Sequence, residues 1–300
     1  MKEFKKRRIV LLGCIAISAL FAAVASADGL REQGPSDIFR DLPYYPTDWK
    51  GADRGEIQKF CRLDLRRPTG KMDFPTVVWF HGGGLCRGRR GFYGVEFHDK
   101  GIAVVTADYR LMSETNGVRA SECITDAAAA VAWTLDHIAE YGGDTNKVFV
   151  AGSSAGGYLT MMLGMDPRWL AKFGHRPLDL AGLAPNSGQA TTHFNVKKFS
   201  GDKRPRWQPI IDEWAPLNYC ENWKEIPPIV VICGESPWEM KARAEENKLL
   251  VASLRALGHK KAWYVSLPYA SHARTPLAGA PYIEYLVTGN YPEPLENEYE

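Results

Sequence analysis

The chain has 300 residues, 45% of them apolar and 24% charged, with a formal net charge of +2 at pH 7. That apolar fraction excludes an intrinsically disordered chain, and the length allows one large domain or two small ones. So small a charge excludes the basic excess that accompanies nucleic-acid binding.

The positive charge is unevenly placed. Residues 1–27 hold Lys2, Lys5, Lys6, Arg7 and Arg8 against Glu3 alone, so the remainder is slightly acidic. The basic start leads into an apolar run over residues 9–24 and then Ala25-Ser26-Ala27, the small-residue pattern at which signal peptidase cuts. The expectation is a secretory signal removed after Ala27, a secreted or periplasmic protein, and a single catalytic domain over residues 28–300. The alternatives are an uncleaved leader that anchors the chain in the membrane and a lipid anchor on Cys14, within Leu11-Leu12-Gly13-Cys14. Membrane contact is expected only through that leader. Downstream, Cys61, Cys86, Cys123, Cys220 and Cys233 are odd in number, so at least one is free of any intrachain disulfide.

In chain order, residues 56–65 suggest an antiparallel edge. Short apolar, β-branched runs at 76–80, 102–106, 148–151, 229–233 and, more weakly, 262–267 have the length and flanks of strands buried on both faces. Between them, residues 121–141, 157–163 and 239–257 read as helices, the last ending at Gly258, a helix-stop signal. This alternation predicts an α/β fold with a mostly parallel central sheet and helices on both faces. Residues 189–219 break the pattern and read as an insertion, and the acidic end at 290–300 reads as frayed.

Two glycine-rich turns follow predicted strands. Gly152-Ser153-Ser154-Ala155-Gly156 has the G-x-S-x-G pattern of a strained strand-to-helix turn that presents its middle serine. The pattern recurs by chance, and only its place between a buried strand and a helix gives it weight. Ser154 is then the candidate nucleophile and the Ala155 N–H a donor to an oxyanion. His81-Gly82-Gly83-Gly84 ends the strand at 76–80, and its bare glycines let the Gly82 and Gly83 N–H groups approach the same oxyanion. No G-K-[S/T] follows, which excludes a nucleotide P-loop, and His81 is read as part of the oxyanion loop rather than as a base.

A serine nucleophile needs a base, and the base an orienting carboxylate, in the order serine, acid, histidine. His272 lies in a loop just past the strand at 262–267, where it can reach the sheet's C-terminal edge. His259 precedes that strand and is expected at the surface. The acid belongs in the loop after 229–233, which reads Gly234-Glu235-Ser236-Pro237-Trp238-Glu239. Glu239 is preferred, with Glu235 as the alternative; an ordinary first-turn helix carboxylate is the competing account of Glu239.

These stretches resemble the α/β-hydrolase fold, in particular the esterase/lipase branch with an HGGG oxyanion loop: the hormone-sensitive-lipase-like and acetyl-esterase-like enzymes, with acetyl xylan and feruloyl esterases as further relatives. The likeness is carried by RLDLRRP (62–68), VVWFHGGG (77–84), GIAVVTADYRL (101–111), YGGDTNKVFVAGSSAGG (141–157), PPIVVICGE (227–235) and the His272 loop. It implies a serine carboxylic-ester hydrolase that forms an acyl-enzyme on Ser154. It also implies an aspartate where this chain has Pro237. Trp207, Trp214, Trp223 and Trp238 cluster in or near the atypical segment and either line a wall for a sugar or phenol or simply pack the segment down. With no long apolar cap helices in view, the expected substrate is a small molecule or a polysaccharide carrying short acyl esters, such as acetyl or feruloyl groups. The alternatives are a serine peptidase of the prolyl-oligopeptidase type, for whose extra propeller the chain has no room, and a non-catalytic binding protein on the same fold. No zinc or EF-hand motif is present, and no cofactor or metal is implied.

Overall fold

The computed structural model describes residues 36–50 and 54–289. The expected leader, its cleavage site, Cys14 and the segment 290–300 lie outside the described residues. Eight strands form one sheet: β1 (Ser36–Pro43), β2 (Arg62–Pro68), β3 (Phe74–Phe80), β4 (Ala103–Ala107), β5 (Gly143–Ser153), β6 (Gly182–Asn186), β7 (Ile229–Gly234) and β8 (Ala262–Leu267). Their order is β1-β2-β4-β3-β5-β6-β7-β8. β2 runs antiparallel to both β1 and β4, and every other pairing is parallel.

The residues alternate between two cores, as the period of a strand requires. Val78 and Phe80 of β3 enter one core with Val105 and Val150, and Val77 and Trp79 enter the other with Val104 and Ala151. The first is closed by α2 (Ala120–His137) and α3 (Ala155–Met165); Ala127–Ala130 supply α2 with strong helix formers that permit close packing. α7 (Thr275–Thr288) covers the second core with Ile283 and Leu286. The remaining helices are α1 (Arg54–Phe60), α4 (Arg168–Ala171), α5 (Phe194–Phe199) and α6 (Arg243–Ala256).

Several expectations are corrected. Residues 56–65 do not form the edge: they divide between α1 and the start of β2, and the edge strand is β1. β1 mixes charged with apolar residues and is half exposed, so it lacks the continuous apolar run of the inner strands. β6 and α7 were not expected. Each contains helix- or strand-breaking residues, Pro185 in β6 and Gly279 and Pro281 in α7, yet both are fixed by burial. The helix expected over 239–257 begins at Arg243, which leaves Glu239 in the loop before it. His259 is buried, not at the surface: its Nδ1 accepts from the Lys261 N–H, so Nε2 carries the proton and donates to the Ile226 carbonyl at 3.0 Å.

The topology decides where a site can form. β4 lies on one side of β3 and β5 on the other, so successive connections leave β3 and β5 in opposite directions and open a crevice at the C-terminal edge. The loop beginning at His81 leaves β3 there, and the turn at Ser154 leaves β5 beside it.

Candidate active site

β5 passes into α3 through a single residue in left-handed backbone conformation: Ser154 has φ 56° and ψ −111°. For a residue with a Cβ such a geometry costs about 1–3 kcal/mol and persists only where neighbours enforce it. Here the Ser154 N–H donates to the Asn186 carbonyl at 2.8 Å, and its own carbonyl accepts from Tyr158 at 3.0 Å. The flanking glycines are required by close approach. A Cβ on Gly156 would stand 1.9 Å from the Phe80 carbonyl oxygen, and one on Gly152 would stand 2.6 Å from the Gly156 carbonyl.

The structure brings Ser154, His272 and Glu239 into one hydrogen-bonded line. His272 Nε2 is 2.9 Å from Ser154 Oγ, and His272 Nδ1 is 2.5 Å from Glu239 Oε1. With the carboxylate as acceptor, Nδ1 carries the proton and Nε2 is left to accept from the serine hydroxyl. Glu239 also accepts from the Met240 N–H at 2.7 Å and, through Oε2, from Ser187 Oγ at 2.7 Å. Its side chain is 1% exposed. Burial pushes the Glu239 carboxyl up, but the hydrogen bonds from His272, Met240 and Ser187 outweigh it and hold the group below the ordinary carboxylate value.

Glu235 stands apart from this line. It accepts from Lys248 at 2.9 Å and from the Tyr264 hydroxyl at 3.1 Å. Burial raises its carboxyl and those donors, with Ser266, lower it further. The His272 loop is pinned by its own contacts: the His272 N–H donates to the Trp238 carbonyl, and Thr275 Oγ1 to the His272 carbonyl. Asn186 Nδ2 donates to the Thr275 carbonyl at 2.7 Å, which joins the end of β6 to the start of α7.

Gly82 lies against the nucleophile turn, where a Cβ would stand 3.2 Å from Ser154 Cβ. Gly83 has φ +114° and faces the Arg87 carbonyl at a distance no side chain could share. Ala155 is the first residue of α3, so its N–H has no acceptor within the helix and sits at the positive end of the helix dipole. Gly82 and Gly83 line the same cavity as Ser154, and Ala155 follows the serine directly in the chain. His81 is otherwise engaged: Nδ1 donates to the Gly82 carbonyl at 2.7 Å, and the ring stacks on Tyr109 at 4.5 Å. Burial pushes its pKa down, which keeps it neutral. The Tyr109 segment is itself locked, because Arg110 grips the fully buried Asp126 through its backbone N–H, Nε and Nη2.

Ser154 and His272 open onto a cavity of about 780 Å³ whose walls come from the glycine loop, α5 and the His272 loop. None of the four tryptophans lines it. Trp214 packs on Trp169 at 6.3 Å, Trp223 lies against Gly258, Trp207 packs on Phe194 at 5.2 Å, and Trp238 is 54% exposed. The segment 189–219 instead contributes Phe194, Asn195 and Phe199 to the wall. Sequence reasoning missed Ser187, whose hydroxyl fixes the second oxygen of Glu239, and the buried Arg243, whose Nη1 donates to the Ser187 carbonyl. The only trace of Ser187 in the sequence is its place directly after β6, a strand disguised by Pro185. All five described cysteines are free thiols. No group of metal-ligating side chains occurs among the described residues.

Residues 63–172 match the BD-FAE family, an esterase family. Carboxylesterase 1D of Mus musculus is 30% identical over 210 residues, which cover 67% of this chain and 34% of that protein. Esterase B from Lactobacillus rhamnosis superposes with a TM-score of 0.59 at 20% identity, covering 93% of this chain and 97% of that one. The chain has the α/β-hydrolase fold. A truncated carbohydrate esterase from gut microbiota shares the fold with a TM-score of 0.61 at 16% identity, covering 87% of this chain and 100% of that one. The chain spans about a third of the length of the curated carboxylesterases it first matches.

Proposed function

We propose that the protein is a serine hydrolase that cleaves carboxylic esters with short acyl groups through an acyl-enzyme on Ser154. The observation that carries this reading is the unbroken line from Ser154 Oγ to His272 Nε2 and from His272 Nδ1 to Glu239. His272 takes the hydroxyl proton as Oγ bonds to the ester carbonyl carbon, and Glu239 stabilises the imidazolium that results. The oxyanion is received by the N–H groups of Ala155 and of Gly82 or Gly83. As the tetrahedral centre collapses, the carbon–alkoxy bond breaks and His272 returns the proton to the departing alcohol. Water then repeats the sequence against the acyl-serine, releasing the acid and restoring Ser154.

The short acyl preference is read from the wall of the cavity: α5 is a six-residue helix, and among the described residues α7, the only other helix in the lining, contributes Pro276 alone. Acetyl or feruloyl groups on carbohydrate are the proposed substrates, in line with the fold shared with a carbohydrate esterase. We also propose export through the leader at residues 1–27. Among the described residues no helix is long and apolar enough to cross a membrane.

Ser154→Ala tests the reading. The variant should fold with an unchanged Tm, lose the burst of p-nitrophenol from p-nitrophenyl acetate, and no longer be labelled by a fluorophosphonate. Retained burst and labelling would overturn it.

A further inference from the structure

The cavity that holds Ser154 carries an unbalanced charge. Among the described residues, Arg87, Arg89, Lys198 and Arg206 line it, and no aspartate or glutamate does. The chain as a whole has nearly equal numbers of basic and acidic residues, 37 and 35, so this is a local departure. Lys198 is answered by Glu114 at 2.9 Å. Among the described residues, Arg87, Arg89 and Arg206 have no carboxylate within the 4.0 Å of an ion pair.

Two of these arginines are positioned by the site itself. The Arg87 N–H donates to the Gly83 carbonyl at 3.1 Å, which makes Arg87 part of the turn that shapes the glycine loop. The Arg206 guanidinium lies over the rings of Phe194 at 4.3 Å and Trp207 at 4.5 Å. Stacking of this kind holds the plane of a guanidinium while leaving its N–H edge free for a planar oxyanion. The two segments are joined, because Asn195 Nδ2 from α5 donates to the Gly84 carbonyl at 2.7 Å. A cleft lined by one sign of charge concentrates ligands of the other.

We propose that the ester cleaved here bears an anionic oxygen group, a carboxylate or a phosphate, in its acyl or alcohol part, and that Arg87, Arg89 and Arg206 hold that group while Ser154 attacks. This rests on the hydrolase reading above and narrows its substrate class. An acyl group carried by an acidic sugar has this chemistry, whereas a neutral glyceride does not.

The test compares matched esters on the wild-type protein, each rate divided by that ester's rate with hydroxide. On the alcohol side, p-acetoxybenzoate and p-acetoxyphenyl phosphate are set against methyl p-acetoxybenzoate. On the acyl side, mono-p-nitrophenyl adipate is set against p-nitrophenyl hexanoate. At low salt the charged ester of at least one set should show kcat/KM at least about tenfold above its neutral match, and the advantage should shrink as salt is raised. Which ester gains distinguishes carboxylate from phosphate and acyl from alcohol side. Arg87→Gln and Arg206→Gln should each lower the charged-to-neutral ratio about threefold or more. Lys59→Gln, the same change of charge outside the cleft, should leave the ratio as it is. Equal or faster turnover of the neutral esters, or arginine variants that leave the ratio unchanged, would overturn the proposal and leave the hydrolase reading standing. No turnover of any ester, together with an unlabelled Ser154, would overturn both.

Discussion

Glu239→Gln isolates the charge of the carboxylate from its shape. The amide fills the same volume, and its orientation is decided by neighbours. At the Oε1 position the wild-type oxygen accepts from both the Met240 N–H at 2.7 Å and His272 Nδ1 at 2.5 Å. An amide nitrogen placed there would face the Met240 N–H, donor against donor, so the glutamine should keep its oxygen at that position and turn its nitrogen toward Ser187 Oγ. The hydroxyl of Ser187 can accept as readily as donate. The His272 tautomer is then preserved, and what disappears is the negative charge that faces the imidazolium in the transition state. A charge pair about 4 Å apart in an effective dielectric of about 20 is worth about 4 kcal/mol, which corresponds to roughly a thousandfold in rate. Steady-state kcat on p-nitrophenyl acetate should therefore fall about a thousandfold with little change in KM. A glutamine that turned the other way and reversed the tautomer would cost about ten thousandfold. Glu235→Gln, which alters contacts to Lys248, Tyr264 and Ser266 and none to His272, should stay within about twofold of wild type. A Glu239→Gln variant within tenfold of wild type, or a Glu235→Gln variant that falls as far, would refute the assignment of Glu239 as the orienting acid.

Three further outcomes follow from the same geometry. Gly82→Ala places a Cβ 3.1 Å from the Ser153 carbonyl oxygen and 3.2 Å from Ser154 Cβ; it should displace the oxyanion donors and lower kcat about a hundredfold, with a change of Tm small enough to show that the fold is kept. Asp126→Asn leaves the buried Arg110 without its charge partner; the expected cost is about 3–5 kcal/mol, read as a drop of roughly 10 °C in thermal melts. The Glu239 carboxyl is held below its ordinary value of 4.5, so its contribution to stability is complete above that value and is lost as pH falls through the lowered one. Melts taken on descending into the acid range should lose less stability for Glu239→Gln than for wild type.

How far the sequence exposes this molecule depends on the physical signal each element carries. β3, β4, β5 and β7 are legible because a strand buried on both faces has to be apolar along its length, and α2 because its run of alanines favours a helix. β1 hides because an edge strand with one wet face needs no apolar run. β6 hides because Pro185 argues against a central strand, although only one partner side of the sheet needs its missing N–H. The helix α7 is legible only through burial, since Gly279 and the interior Pro281 oppose a helix, and Gly279 is small because Asn186 presses against it, with a Cβ there standing 2.4 Å from Asn186 Nδ2.

The site divides along the same line. Ser154, Gly82, Gly83 and Ala155 are visible because strain and close approach demand glycine at fixed spacings from the serine, and those demands leave a local pattern. His272 and Glu239 are visible only as candidates, since what selects them is distance across the fold: 118 residues separate His272 from Ser154, and 33 separate it from Glu239. Ser187, Arg243 and Arg206 leave no pattern at all. Their roles come from where β6 ends, from which backbone carbonyl the first residue of α6 reaches, and from which rings a guanidinium happens to cover. Strain writes itself into neighbouring residues because backbone sterics act over a few bonds. Electrostatics acts through space, so the charge that shapes a substrate's approach is assembled from segments with nothing in common until the chain folds. The charge balance of the chain is therefore a poor guide to its cleft: among the described residues of a nearly neutral protein, four cations and no carboxylate line the cavity onto which Ser154 opens, with the Glu239 carboxylate set behind His272.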